Sequence, residues 1–355
     1  MTIQDLFDKT IQSNASDLHL IAGHAATIRV DGRLKPLASI EVLSSNQIQE
    51  LVFPILTENQ RKIFLTNRAF DFSYGLGGGD YGERGRFRIN IYFQRNTVAV
   101  AARLLPAQIK TIEELFLPAV CHNFSALKQG FVLVTGPTGH GKSTTIASII
   151  DEINIGRAAN IITVEDPIEY VYSQGKSIIS QREIGIDSLS WEESLKSILR
   201  EDPEVVLIGE MRDPDSIASA ITIAETGHLV FSTLHTNSAA QSVDRIIDSF
   251  PEKQQNQIKS QLSGSLAAII SQRLVPRTDG GRIVACEVLI ANNAVKANIR
   301  EGKTHLIDSI IETSQDIGMI PLEAALATLV KQNIVALDVA KSYVLRPDTF
   351  AQLMG

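Results

Sequence analysis

Cysteine is nearly absent: Cys121 and Cys286 are the two in 355 residues. Their separation excludes a multi-disulfide framework and a paired-cysteine metal site, and a reducing compartment fits best. No run reaches the roughly 18 apolar residues of a membrane span, and the opening MTIQDLFDKTIQ carries acids and no long apolar core, unlike a signal peptide. Any membrane association is therefore expected to be peripheral, through other proteins. Excess basic charge is lacking too: the formal net charge is -7, which gives no general attraction for nucleic acid or anionic lipid. Proteins and small ligands are the expected partners, with no nucleic acid among them. What remains is an ordinary globular composition, 44% hydrophobic and 21% charged. The length suits two compact domains better than one core.

The texture changes along the chain. In the first hundred residues Ile3, Leu6, Phe7 and Ile11 fit one face of a helix that Ser13, Asn14 and Ser16 stop. Strand patterns follow at Leu18–Ile21, Thr27–Val30, Ala69–Tyr74 and Gly85–Phe93, with turns at Asp31-Gly32 and in the glycine run Gly77–Asp80. Residues 1–105 therefore read as a small α+β domain. Residues 106–120 read as a linker, with Pro106, Pro118 and a helical pattern over Ile112–Phe124. Residues 121–355 read as α/β with a mainly helical C-terminal region. There the apolar runs Phe131–Val134, Ile161–Val164, Val205–Ile208 and Leu229–Phe231 alternate with helical stretches, as in a parallel sheet covered on both faces. Ser190 to Glu193 predicts a capping box, Asp213-Pro214 a helix start, and Arg282–Leu289 a strand.

One segment is chemically specific. Gly136, Gly141, Lys142 and Ser143 satisfy G-x-x-x-x-G-K-[ST], directly after an apolar run and directly before the helical TTIASIIDEI. Glycines let backbone N–H groups approach phosphate oxygens, the lysine reaches the β- and γ-phosphates, and the hydroxyl binds Mg²⁺. ATP with Mg²⁺ is thus the expected ligand pair, contacted by Thr138, Gly139, His140, Gly141, Lys142, Ser143 and Thr144.

Two later runs end in glutamate, Glu165 and Glu210. A carboxylate at a neighbouring strand tip can hold Mg²⁺ or orient the attacking water. Glu210 is assigned to the metal with Ser143 and Glu165 to the water, with the reverse as the alternative. His235 is placed to sense a γ-phosphate, whereas His228, seven residues earlier on the same strand, reads equally well as a structural histidine. Arg84, Arg86, Arg88, Arg95 and Arg103 crowd the end of the first domain. Such planar cations suit phosphate and can complete a nucleotide site on domain closure, or lie on a solvated face. Arg200 and Arg212 sit beside Asp202 and Asp213 and read as interface arginines or as local ion pairs.

Six ordered segments carry a family likeness: ASDLHL from Ala15, GRFRIN from Gly85, GPTGHGKST from Gly136, ITVEDPIEY from Ile162, LIGEMRDPDS from Leu207 and TGHLVFSTLHTNSA from Thr226. On these the chain resembles the secretion and type IV pilus ATPase family, on its retraction branch, nearly end to end. The resemblance implies a homohexamer whose protomers pair a PAS-like N-terminal domain with a RecA-like P-loop core. It implies ATP hydrolysis driving pilus retraction, in the cytoplasm, with peripheral attachment to the inner membrane through the pilus machine. The implied partners are the inner-membrane platform protein and a second retraction ATPase. By the same likeness Glu165 is the general base, Glu210 the atypical Walker B acid, His228 and His235 the histidine box, and Arg86, Arg88 and Arg103 the arginines that close on nucleotide. Two departures stand out. His140 replaces the serine of the usual GPTGSGKS loop, and Ala294–Glu301 reads AVKANIRE where the retraction branch carries a motif like AIRNLIRE. The chain lacks the four-cysteine insertion of assembly and type II secretion relatives, so retraction is favoured, with an accessory retraction paralogue or an assembly ATPase as the alternatives.

Overall fold

Alternation and capping shape the first of two compact units, which comprises Met1–Gln108 with Pro167–Val171; the second comprises Ile109–Asp166 with Tyr172–Gly355. The computed structural model describes all residues except 31, 38–39, 78–83 and 107. The turn expected at Asp31 and most of the glycine run at Gly77–Asp80 therefore lie outside the described residues.

In the first unit, helix α1 (Ile3–Gln12) starts with a reciprocal Thr2/Asp5 capping box and buries Ile3, Leu6 and Phe7. Six strands form one antiparallel sheet: β1 (Asp17–Leu20), β2 (Thr27–Val30), β3 (Arg33–Pro36), β4 (Ala69–Leu76), β5 (Gly85–Gln94) and β6 (Thr97–Leu105), in the order β3-β2-β1-β6-β5-β4. Phe87, Ile89 and Ile91 of β5 are fully buried, so the residues between them face the other way. Helices α2 (Ser45–Val52) and α3 (Glu58–Asn67), not among the elements expected from sequence, start at S-x-x-Q from Ser44 and T-x-x-Q from Thr57; both capping boxes form.

The second unit is built on a seven-stranded sheet, in the order β13-β12-β7-β11-β10-β8-β9. Its strands are β7 (Gly130–Thr135), β8 (Asn160–Glu165), β9 (Ile178–Glu183), β10 (Val205–Ile208), β11 (Leu229–Leu234), β12 (Leu266–Pro276) and β13 (Arg282–Ile290). The pairings are parallel except that β12 and β13 run antiparallel. The helices in this part are α4 (Cys121–Ser125), α5 (Lys142–Gly156), α6 (Trp191–Ile198), α7 (Pro214–Glu225), α8 (Ala239–Asp248) and α9 (Glu252–Ser265). The C-terminal region adds α10 (Asn293–Glu301), α11 (Ile307–Thr313), α12 (Leu322–Lys331), α13 (Leu337–Lys341) and α14 (Pro347–Met354). The architecture is α/β, a RecA-like P-loop core with a smaller α+β, PAS-like N-terminal module.

The strand that follows the P-loop helix is β8, yet β11 and β10 lie between β7 and β8. This order sets the carboxyl ends of β11 and β10 beside the loop after β7. All four residues of β10 and all six of β11 are buried, so polar groups can serve a ligand only at the tips.

Three local expectations need correction. The pattern over Ile112–Phe124 is not a continuous helix: Phe116 takes a left-handed φ of 55° and Pro118 follows, leaving only Cys121–Ser125 helical. At α6 the forward half of the capping box forms, with Glu193 N–H donating to Ser190 Oγ at 3.2 Å, without the return bond. Arg212 does not pair with the adjacent Asp213, which caps α7; its guanidinium binds Glu210 at 3.1 Å. Among the described residues no helix is long and apolar enough to cross a membrane.

The C-terminal helices are tied on by an ionic cluster built around two buried carboxyl groups. Arg346 donates to Glu323 Oε2 at 2.7 Å and to Glu287 Oε2 at 3.3 Å, and its other nitrogen lies 3.5 Å from Asp308 and from Glu312. Glu323 is 0% exposed and Glu287 1%. Backbone N–H groups of Leu345, Arg346 and Ala239 fill the remaining acceptor sites.

Candidate nucleotide site

The site begins where β7 ends. Gly136 takes φ 139°, and a Cβ there would lie 2.5 Å from the Gln272 carbonyl, so no other residue fits this first turn. The loop through His140 then feeds α5, whose N-terminus brings Lys142 and Ser143 together. Lys142 is 8% exposed, and its ammonium donates to the carbonyls of Gly136 (2.9 Å) and Pro137 (3.0 Å). It also lies 3.3 Å from His235 Nδ1.

His235 follows β11, the strand between β7 and β10, and spans that gap. Its Nδ1 lies 3.3 Å from the Thr138 hydroxyl, and its Nε2 lies 3.0 Å from Glu210 Oε1. The other oxygen of Glu210 is held by Arg212. The result is a chain Lys142–His235–Glu210–Arg212 across three adjacent strand ends.

Glu165 ends β8, one strand beyond. It is 9% exposed, and its Oε1 accepts from Thr163 Oγ1 at 2.7 Å and from Gln181 Nε2 at 3.4 Å. Gly209 lets the β10 end approach it closely: a Cβ on Gly209 would lie 3.3 Å from the Val164 carbonyl and 3.4 Å from Glu165 Cα. Thr233 Oγ1, donating to the Gly209 carbonyl at 2.7 Å, pins β11 to the same turn.

The sheet thus gathers Thr138, Gly139, His140, Gly141, Lys142, Ser143, Thr144, Glu165, Glu210 and His235 at the carboxyl ends of β7, β11, β10 and β8. It does not bring His228 there. That ring sits before β11 at the opposite end of the strand, with Nδ1 2.9 Å from the Ile223 carbonyl and 3.1 Å from Thr226 Oγ1. In the first unit, Arg86, Arg88 and Arg103 share one face: Arg86 and Arg88 alternate with buried Phe87 and Ile89 on β5, and Arg103 is the register partner of Arg88. Arg86 donates to Ser73 Oγ at 2.6 Å, Arg103 to Asp17 at 2.9 Å, and Arg88 lies 4.0 Å from Asp71. Arg84 pairs locally with Asp8, and Arg95 occupies a left-handed hairpin turn with Asn96.

Sequence reasoning missed the residues that orient the named ones. Gln181 lies on β9 and Gln272 and Arg273 on β12, two strands without the clean apolar run of the others. Arg273 is 5% exposed and donates to the Asn237 carbonyl at 2.8 Å, fixing the turn two residues after His235. The sequence signal was the polar Gln272-Arg273 pair inside an otherwise apolar stretch.

Comparison with known proteins bears on this geometry. The family model described as type II/IV secretion system protein matches residues 110–330. The type IV pilus retraction ATPase PilT of Pseudomonas aeruginosa is 40% identical over 350 residues, covering 99% of this chain and 100% of that protein. A twitching motility protein of Neisseria gonorrhoeae is 43% identical over 332 residues, 93% of this chain and 87% of that one. Among solved structures, that of the pilus retraction motor PilT with bound ADP superposes with a TM-score of 0.91 at 42% identity, covering 99% of both chains.

Proposed function

The chain belongs to the type II/IV secretion system ATPase family, and on that premise we propose that it hydrolyses ATP to drive retraction of a type IV pilus. The observation that carries ATP hydrolysis is the convergence of a P-loop lysine, two strand-tip glutamates and a linking histidine on one edge of the sheet, and the end-to-end likeness to a retraction ATPase supports retraction as the use of that hydrolysis.

The residues fit Mg²⁺ and ATP. An ammonium held by carbonyl and imidazole acceptors is a cation poised for phosphate oxygens, and the N-terminus of the 15-residue α5 favours anions. Ser143 and Glu210 would hold Mg²⁺, which when bound neutralises charge on the β- and γ-phosphates. Lys142 exchanges its carbonyl partners for phosphate. Glu165, kept in one rotamer by Thr163 and Gln181, accepts a proton from the attacking water and directs it in line. His235, bonded on both sides, registers whether Lys142 and Glu210 are engaged by ligand. Arg86, Arg88 and Arg103 leave Ser73, Asp71 and Asp17 to close on the nucleotide of a neighbouring protomer in a hexameric ring, and loss of the γ-phosphate reopens that interface. The ring works at the cytoplasmic face of the inner membrane against a platform protein, with a second retraction ATPase assisting.

Two measurements test this. Steady-state phosphate release by the full chain should require Mg²⁺ and be unaffected by added nucleic acid, whereas a helicase-like motor would be stimulated. Deletion in the native cell should leave excess pili that do not retract; bare cells would assign the chain to assembly instead.

A further inference from the structure

The P-loop of this chain has an attachment that its motif does not require. His140 lies at the loop apex between Gly139 and Gly141, which take left-handed φ values of 77° and 81°. A segment flanked in this way has a large conformational entropy to lose when its N–H groups must face a ligand. Strand β12 removes much of that freedom. It outruns β7, whose last register partner is Ser271 opposite Thr135, so the Leu274 N–H on that edge meets no strand. His140 takes its place: Nδ1 accepts from Leu274 N at 3.1 Å, and the His140 carbonyl accepts from Gln272 Nε2 at 2.6 Å. Arg273, between these two residues, holds the turn after His235.

We propose that His140 is a positioning residue of the nucleotide site, its neutral imidazole pinning the apex of the P-loop to β12 so that the loop is set for phosphate before ligand arrives. The inference rests on the ATP-binding reading above. Accepting through Nδ1 requires a ring without a proton there. A proton on Nδ1 would set donor against donor at Leu274. The groups facing the ring oppose that proton as well: Lys142 from its own loop, Arg273 from β12 and Arg282 from β13, with the Tyr343 ring after α13 6.5 Å away, centroid to centroid. Burial, with these cations, holds the imidazole below its ordinary 6.5.

The test compares the full-length protein with H140A and H140N from pH 5.5 to 8, reading KM and kcat for MgATP and the Kd of ADP by calorimetry. Asparagine carries an acceptor oxygen near the position of Nδ1 and does not titrate. Loss of one preorganising hydrogen bond should raise KM and Kd about tenfold in H140A at pH 7.5, with kcat within about twofold. H140N should recover most of that affinity. Below pH 6.5 the native protein should lose affinity progressively, and H140N should lack that part of the loss. Native protein that binds no ADP would overturn the ATP-binding reading and this one with it. Native protein that binds ADP while H140A binds equally well, or an H140N that loses affinity in acid as the native chain does, would overturn the His140 assignment alone.

Discussion

Two ionic clusters of the second unit, one at the strand tips and one beneath the C-terminal helices, differ in what holds them. At the tips Glu210 is bound by an imidazole and an exposed arginine, and Lys142 by carbonyls and that same imidazole. Each partner there can be exchanged for a ligand at small cost. Beneath the helices Glu287 and Glu323 are sealed from water and share Arg346, with backbone donors completing their shells. Removing Arg346 there strands the two buried carboxyl groups without their cation. Similar chemical groups therefore serve turnover in one place and cohesion in the other, and burial of the carboxylates separates the roles.

The largest effect should come from Lys142→Ala, which should reduce phosphate release by about a thousandfold or more while leaving the melting temperature nearly unchanged. Glu165→Gln should lower kcat by about a hundredfold with ATP binding retained, since proton acceptance is lost and the shape kept. A glutamine variant with normal turnover would remove Glu165 from the chemistry. At the other cluster the signature should reverse: Arg346→Ala should cost about 3 kcal/mol of stability in urea titrations carried out above the Glu287 pKa of about 7, because two buried carboxylates lose their cation. If it folded as stably as the native chain, the contrast between the clusters would fail.

A pH dependence sharpens the same contrast. Burial pushes the Glu287 carboxyl from 4.5 up to about 7. Between those values the folded protein keeps a proton that the unfolded chain has released. The associated stability is fully present below pH 4.5 and is lost as pH rises through 7, by about 1–3 kcal/mol. Glu287→Gln should flatten that slope in denaturation curves taken at pH 5 and pH 7.5. The smallest effect belongs to Arg103→Ala: stability should change by less than about 1 kcal/mol, because Arg29 remains 3.5 Å from Asp17. Any loss of turnover in that variant would then report closure on nucleotide rather than folding.

The strand tips were legible because their signals are local: Gly136 to Ser143 is contiguous, and Glu165 and Glu210 each close an apolar run. The apolar runs likewise located β7, β8, β10 and β11, whose residues are covered on both faces. Edge and boundary elements were not legible by that route. β9 reads IISQRE, too polar for a buried-strand pattern, and β6 is apolar without a break from Val98 to Ala102 where alternation was sought. Helix α3, with Phe64 as its single buried residue, required its capping signal rather than periodicity, whereas α2 also carries Ile48, Leu51 and Val52 on one face. The Arg346 cluster could not be found from sequence, because its partners come from β13, α11 and α12 and meet only through packing. The same holds for Gln272, 132 residues from the carbonyl it binds.

Lys142 already has its ammonium coordinated when the loop is at rest. Ligand entry at that position is therefore a substitution reaction, in which protein oxygens leave as phosphate oxygens arrive. The heat released should fall short of a tally of new contacts, and the displaced carbonyls of Gly136 and Pro137 offer a way back whenever the phosphate departs.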